Sequence, residues 1–208
     1  DARPLRIMSE FMEPQARFRD QNVSDVIVFF GSARMLSRDD AEANMAAARA
    51  GEGDIARAER DLKMSAYYED ARTLAARLTT WSKELEDTHR RFLVCTGGGP
   101  GIMEAANRGA AAAGGVSVGL NIELPYEQAA NPHLTHQLHF HQFLTRKLML
   151  TRYSRGFAVF PGGFGTADEL LELLVAFHTD RSVRKPLVLI DTAFWAGLID
   201  WFRLELGS

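Results

Sequence analysis

Residues 156–177 read GFAVFPGGFGTADELLELLVAF, and the two halves of this stretch follow different periodicities. Residues 156–160 form a short apolar run, which is typical of a buried strand. After the glycines, large apolar residues recur at the spacing of one buried helix face, namely Leu170, Leu173, Leu174 and Phe177. A strand, a glycine turn and an amphipathic helix in this order predict one unit of a parallel sheet that is covered by helices.

Four more short apolar runs precede turn residues elsewhere in the chain, at 26–30, 92–96, 116–122 and 186–190. Longer segments with helical spacing lie between the runs. This alternation predicts a Rossmann-like α/β fold, a doubly wound parallel sheet of at least five strands with helices on both faces. A length of 208 residues suits a single domain over 1–208.

The longest segment with helical spacing is 54–91. Its large apolar residues predict one buried stripe, formed by Leu74, Leu78, Trp81 and Leu85. The Ala-rich segment 39–50 has high helix propensity but few large apolar residues, so we interpret it as a peripheral helix or a mobile part of an insertion over 35–64. Residues 1–22 are expected to form a leading helical segment, anchored by Phe11, Met12 and Phe18.

Charge and composition exclude several classes of partner. Lysine and arginine number 24 against 27 aspartates and glutamates, so the formal charge is −3, no nucleic-acid partner is expected and any basic site must be local. No run approaches the roughly 18 to 20 apolar residues of a spanning helix, and the first residues lack the regions of a signal peptide, so we expect no membrane association. The single cysteine, Cys95, excludes an internal disulfide and makes the cytoplasm the expected location.

Two glycine-rich loops, 96–101 and 161–166, each follow a predicted strand and precede a predicted helix. Glycine lets backbone N–H groups approach an anion, and the helix start adds a positive dipole end, so each loop could cradle a phosphate. We expect the two loops at neighbouring sheet positions, at the carboxyl ends of strands, where open parallel sheets bind ligands. Neither loop matches a dinucleotide or nucleoside-triphosphate fingerprint, which argues against those ligands and leaves a single phosphate open. The alternative is that the glycines form only tight turns.

Two charged side chains beside these loops are candidates for chemistry. Arg146 shares a predicted helix face with Met149 and Leu150, so we expect an anionic partner, whereas a solvated charge run is the alternative. Glu169 lies off the apolar stripe of its helix and could act on a sugar hydroxyl or a water. The alternative for Glu169 is a capping box, in which it would reach back to the N–H of Thr166.

Four histidines fall within nine residues, at His133, His136, His139 and His141. His139 and His141 would share one face of a strand. The run contains no carboxylate and no H-E-x-x-H motif, so we expect no metal site. Cys95 ends an apolar strand, which favours a structural role over nucleophilic catalysis.

Residues 161–169, PGGFGTADE, resemble the PGGxGTxxE signature of the Lonely-guy family. Arg146 and Lys147 are similar to the RK pair of the same signature. Two further blocks are similar to the family, FGSAR at 30–34 and TGGGPGIMEAAN at 96–107. The sequence of the second block resembles larger bacterial relatives more than the plant cytokinin-activating members. The resemblance covers roughly residues 25–190.

Members of this family are Rossmann-like phosphoribohydrolases, usually homodimeric and often mislabelled lysine decarboxylases. The resemblance therefore implies hydrolysis of the N-glycosidic bond of a nucleoside 5'-monophosphate, AMP or a cytokinin riboside monophosphate, to free base and ribose 5-phosphate. It implies Glu169 as a catalytic residue that stabilises the ribose cation and orients water. It implies Arg146 as the second catalytic residue, anchoring the phosphate or keeping Glu169 ionised and positioned.

The same resemblance implies a larger substrate-binding set, formed by Gly31, Ser32, Gly98, Gly99, Glu127, Lys147, Gly162, Gly163, Phe164, Gly165 and Thr166. No metal or redox cofactor is required. Lysine decarboxylation would need pyridoxal phosphate on a Schiff-base lysine, and little around Lys147 favours that. The alternative function is a non-catalytic nucleotide-binding carrier or sensor built on the same loops.

Overall fold

The computed structural model describes residues 2–85, 90–123 and 130–205. Within these ranges six parallel strands form one sheet in the order β4-β3-β2-β1-β5-β6. The strands are β1 (Val26–Phe30), β2 (Leu93–Thr96), β3 (Ser117–Ile122), β4 (His136–Phe140), β5 (Ser154–Val159) and β6 (Leu187–Leu189). The helices are α1 (Arg3–Asp20), α2 (Arg38–Arg49), α3 (Ile55–Glu84), α4 (Ile102–Ala112), α5 (Phe143–Arg152), α6 (Phe164–His178) and α7 (Thr192–Glu205).

Helices cover both faces of the sheet, which confirms the predicted doubly wound architecture. One face packs large side chains of α5 and α6 against the strands, including Met149, Leu170 and Leu173. The other face packs α3 and α4 against Phe29 and Val94. The predicted stripe of α6 therefore faces the first of these cores.

The strand order reverses between β1 and β5. The chain moves outward from β1 to β4 and then returns to place β5 on the other side of β1. In open α/β sheets, ligands bind at the carboxyl ends of the strands at such a switch point. The two glycine loops follow β2 and β5, which both pair with β1 but not with each other, so the expectation that they occupy neighbouring positions is wrong. Strand β1 lies between them.

All five predicted strands form, with ends shifted by one or two residues, and β4 adds a sixth. Strand β4 lies at the sheet edge, where only Leu138 and Phe140 are buried. An edge strand with one polar face lacks the continuous apolar run that marks the inner strands. His139 lies within β4, whereas His141 follows the end of the strand, so the two do not share a strand face as expected.

The buried face of α3 differs from the predicted stripe. Trp81 is 42% exposed, and Leu74 and Leu78 are only partly buried. The buried positions are instead Ala58, Ser65, Tyr68, Ala71, Ala75 and Thr79. A Cβ at Gly109 of α4 would overlap the carbonyl oxygen of Arg72, so the two helices approach too closely for leucines at the contact. Large residues therefore flank a seam of small ones.

This close approach predicts a strong effect of one methyl group. We expect Gly109→Ala to destabilise the fold by about 2 kcal/mol, because the added Cβ must push α3 away from α4. Gly197→Ala is the matched control, since Gly197 lies in α7 with no atom near its Cβ position, and we expect it to stabilise by up to about 1 kcal/mol. Urea denaturation measures both changes, and a neutral Gly109→Ala would contradict the close packing.

Both N-terminal segments are helical in the structure. Helix α1 forms the leading segment and buries Phe18, but Met12 is 66% exposed and is not an anchor. The Ala-rich segment forms α2, whose first turn is capped by Ser37 and which packs Met45 and Ala48 toward α3. In the part of the chain that the structure describes, no helix has the length and apolar character needed to cross a bilayer.

Candidate active site

A cleft of about 610 Å³ opens at the switch point, beside the carboxyl ends of β1 and β5. It brings together many of the predicted site residues, namely Gly31, Ser32, Arg146, Lys147, Gly163, Phe164, Gly165, Thr166 and Glu169. Met103 and Phe143 also line it and were not predicted from the sequence. Residues far apart in the chain therefore meet where the topology predicts a ligand site.

The N-terminus of α6 offers unpaired backbone donors to this cleft. Gly163 is the N-cap and carries no capping side chain, and the N–H of Ala167 donates to its carbonyl oxygen at 3.0 Å. The N–H groups of residues 164–166 therefore have no acceptor within the helix. Together with the helix dipole, these donors make a site suited to a phosphate.

The capping-box alternative for Glu169 is wrong. Thr166 is the third residue of α6 and not its N-cap, and its side chain packs against Gly162. The Glu169 carboxylate instead contacts Arg146, with Oε1 at 3.3 Å from Nη1. The carboxylate is therefore directed away from its own backbone cap and toward the cleft.

Arg146 is buried, with 8% of its surface exposed, so the solvated alternative is wrong as well. Its Nε donates to the carbonyl oxygen of Leu120 at 2.7 Å, which fixes the guanidinium between β3 and α6. A Cβ at Gly97 would overlap the other terminal nitrogen, so only glycine fits there. The glycine triplet at 97–99 predicted a tight turn, but only the fold shows that Gly97 leaves space for the side chain of Arg146.

Burial dominates the protonation of Glu169. It raises the pKa of the carboxyl to about 7, although the charges of Arg146 and Lys147 act to lower it. A carboxyl that titrates near neutral pH is characteristic of acid–base and electrostatic catalysis. The idea that Arg146 keeps Glu169 fully ionised therefore needs correction, because desolvation outweighs the guanidinium in the ligand-free cleft.

The raised pKa predicts a pH-dependent stability. The folded state holds the Glu169 proton up to about pH 7, whereas the unfolded chain releases it near the ordinary value of 4.5. The free energy of unfolding therefore falls as pH rises between these values. We expect Glu169→Gln to gain about 2 kcal/mol relative to wild type on going from about pH 5 to about pH 8. Urea denaturation of both proteins checks this, and a difference independent of pH would contradict it.

Lys147 neighbours the pair but is already neutralised by carboxylates. Its Nζ lies 2.5 Å from Asp168 Oδ2 and 2.9 Å from Glu172 Oε2. Burial acts to lower its pKa, but the hydrogen bonds to Asp168 and Glu172 outweigh burial and raise it. A Schiff-base lysine needs the neutral amine. The environment of Lys147 therefore favours a fixed ammonium and does not favour pyridoxal phosphate chemistry.

Gly98 and Gly99 belong to the loop after β2 and do not line the cleft. The Asn131 amide donates to both of their carbonyl oxygens, at 3.1 and 3.0 Å, and also to Asn107 Oδ1. Sequence reasoning missed this asparagine, which holds the glycine loop in place. Gly162 lines a smaller neighbouring cavity. Glu127 lies outside the described residues.

The histidine run and Cys95 do not line the cleft. His141 bridges two acids, with Nδ1 at 3.1 Å from Glu10 and Nε2 at 2.7 Å from Glu123. Across residues 2–85, 90–123 and 130–205, no group of three or more His, Cys, Asp or Glu side chains has an arrangement that could hold a metal ion. Burial raises the pKa of the Cys95 thiol to about 12, which favours the inert thiol.

Comparison with known proteins agrees with the motif analysis. A family model described as "possible lysine decarboxylase" matches residues 103–207, half of the chain. The chain belongs to this family. The match includes both the Arg146–Lys147 pair and the PGGFGTADE motif, so the Lonely-guy resemblance is confirmed.

Curated relatives from Escherichia coli are named pyrimidine/purine nucleotide 5'-monophosphate nucleosidase. The proteins of strains K12 and O157:H7 are each 38% identical over 111 residues, which is 50% of this chain and 24% of the relative. The chain therefore spans about a quarter of the length of these relatives.

Solved structures share the fold at low identity. A molybdenum cofactor binding protein from Rippkaea orientalis has a TM-score of 0.54 at 15% identity, covering 85% of this chain and 83% of that one. A molybdenum cofactor carrier protein from Chlamydomonas reinhardtii has a TM-score of 0.52 at 18% identity, covering 88% and 86%. These likenesses establish the fold class only.

Proposed function

We propose that the chain hydrolyses the N-glycosidic bond of a nucleoside 5'-monophosphate to free base and ribose 5-phosphate. One observation carries the proposal. The buried Arg146–Glu169 pair, 3.3 Å apart, lies in the same cleft as the unpaired amide donors of α6. A donor set for phosphate beside an acid that titrates near pH 7 suits a phosphorylated sugar.

Each part then has a separate role. The amides of residues 164–166 bind the 5'-phosphate and fix the position of the ribose. The ionised Glu169 accepts a hydrogen bond from a ribose hydroxyl and stabilises the positive charge that develops at C1′. Arg146 holds this carboxylate in place and offsets the charge repulsion between it and the phosphate.

The reaction balances without a further reactant. The bond from C1′ to the base nitrogen breaks as the ribose takes on oxocarbenium character. A water oxygen bonds to C1′, one water proton leaves for the departing base, and the other remains on the new hydroxyl. Because the pKa of Glu169 lies near 7, its ionised fraction rises across the neutral range.

We take AMP as the first substrate, with pyrimidine nucleotides as the next to examine. The name of the Escherichia coli relatives covers both purine and pyrimidine nucleotides. Phe143 and Phe164 line the cleft and are 53% and 96% exposed, so either ring is free to stack on a base without selecting one. A cytokinin nucleotide has only the family resemblance in its favour. The homodimer likewise stays a prediction.

A second candidate, a non-catalytic carrier, is supported by the names of the two fold neighbours. At sequence identities of 15% and 18%, these neighbours share the fold with this chain, and their names alone do not assign a carrier function to it. The carrier function does not need an acid that titrates near neutral pH beside the phosphate donors. The glycosidase proposal accounts for that acid and is preferred.

The test is to incubate the protein with AMP and separate the products. We expect free adenine and ribose 5-phosphate in equal amounts. Release of adenosine and inorganic phosphate would contradict the proposal, because a different bond would have been cut. Binding of AMP without any turnover would favour the carrier instead, and the absence of an AMP-induced thermal shift would contradict both.

A further inference from the structure

A second cavity, of about 680 Å³, lies at the edge of the sheet opposite the cleft. Its residues lie at the amino ends of three strands: Asp25 precedes β1, Ser154 begins β5 and Pro186 precedes β6. The end of α5 and the loop after α6 complete its wall. A volume of this size is typical of small-molecule sites.

The wall of this cavity is strongly basic. It carries five cationic side chains, namely Arg152, Arg155, Arg181, Arg184 and Lys185. The whole chain has a formal charge of −3, so this concentration of positive charge is local. Cations gathered in one concave surface raise the local concentration of anions.

Of the described residues, Asp25 is the one carboxylate in the wall, and it does not neutralise these cations. Asp25 is 2% exposed, and its oxygens already accept bonds from Arg91, Arg155 and the N–H of Phe92. Among the described residues, no acid lies within ion-pair distance of Arg152, Arg181, Arg184 or Lys185. Within the described part of the chain, these four cations therefore have no carboxylate partner.

The surroundings of Lys185 also show an excess of positive charge in this wall. Its Nζ donates to the Thr151 carbonyl oxygen at 2.6 Å and to Ser154 Oγ at 3.1 Å, so neutral oxygens are its partners. Burial lowers the pKa of Lys185, and the nearby charge of Arg155 lowers it further. By capping a carbonyl at the end of α5, Lys185 also shields the cavity from the negative end of that helix.

We propose that this cavity is a second anion site, which binds a small molecule carrying two or more phosphate groups. Among the described residues, four cations without a carboxylate partner exceed the charge of one phosphate, which is at most two negative charges, whereas a diphosphate or triphosphate matches them. Leu148 and Val183 add an apolar wall, 42% and 81% exposed, that suits an organic portion of the ligand. The site is separate from the nucleotide cleft and does not depend on its chemistry.

Isothermal titration with inorganic tripolyphosphate, and separately with ATP, tests this site. The variant R181Q/R184Q removes two exposed cations of the wall, and R57Q/R60Q is the matched control, since it removes two exposed arginines from α3. Because binding to the nucleotide cleft is common to all three proteins, their differences isolate the second cavity.

We expect R181Q/R184Q to bind at least about tenfold more weakly than wild type, while R57Q/R60Q binds as wild type does. Weaker binding of either titrant by R181Q/R184Q supports the site. Weaker binding of tripolyphosphate shows that phosphate groups alone are sufficient, whereas an effect on ATP alone shows that an organic portion is required. Equal affinities in all three proteins, or equal losses in both variants, would overturn the proposal. Matching thermal unfolding of the three proteins shows that the folds are intact, and the binding readout holds whether or not the chain turns over AMP.

Discussion

Replacing Arg146 with alanine is expected to lower kcat/KM for AMP by about a thousandfold, equivalent to about 4 kcal/mol of transition-state stabilisation. The guanidinium is fixed by the Leu120 carbonyl and contacts the Glu169 carboxylate. In the wild type, the positive charge of Arg146 lowers the pKa of Glu169. Without the guanidinium, that pKa therefore rises beyond about 7. Less carboxylate is then present at neutral pH, and its position is no longer held.

The pH profile distinguishes this role from simple loss of folding. If the reaction needs the ionised Glu169, the activity of Arg146→Ala should rise at a higher pH than that of wild type. Arg146→Lys should remain impaired, because one ammonium cannot replace both guanidinium contacts. Arg60→Gln, an exposed change on α3, is the matched control. An Arg146→Ala enzyme with an unshifted profile and near-normal kcat/KM would contradict this role.

Replacing Glu169 with glutamine is expected to lower kcat by between about a hundredfold and ten thousandfold while AMP still binds. The amide nearly keeps the shape of the carboxyl, and the α6 donors for the phosphate are untouched. Only the negative charge that stabilises the ribose cation is lost. Single-turnover kinetics with AMP give the chemical rate, and calorimetry gives the affinity.

Glu172→Gln provides the matched control for this substitution. Glu172 lies one turn further along α6 and pairs with Lys147 at 2.9 Å. Its substitution therefore removes a similar negative charge from the same helix. We expect its kcat to stay within a few-fold of wild type, which is the range of surface ion-pair effects. Equal losses in Glu169→Gln and Glu172→Gln would mean that general charge near the cleft matters and that Glu169 has no special role.

Much of the fold was predictable because it rests on local patterns. The apolar runs of the inner strands and the 3-4 spacing in α6 are properties of consecutive residues, and the structure confirms them. Strand β4 was not among the predicted apolar runs, because His136, Gln137 and His139 interrupt its apolar residues. The seam of α3 was misplaced because the size of its residues depends on the nearness of α4, which the α3 sequence does not contain.

The site shows the same division between local and distant causes. The motifs identified Arg146 and Glu169, and the resemblance paired them. Three features required the fold: the Leu120 carbonyl that anchors the arginine, the space left by Gly97, and the burial that raises the pKa of Glu169 to about 7. Each depends on residues more than 20 positions away in the chain, so sequence spacing carries no signal for it.

A crystal structure with ribose 5-phosphate bound tests whether the α6 amides, Glu169 and Arg146 act together on one sugar phosphate. We expect the phosphate on the N–H groups of residues 164–166, with a ribose hydroxyl within hydrogen-bond distance of the Glu169 carboxylate and Arg146 still on the Leu120 carbonyl. A sugar phosphate bound elsewhere, or bound in the cleft with its ribose out of reach of Glu169, would contradict it.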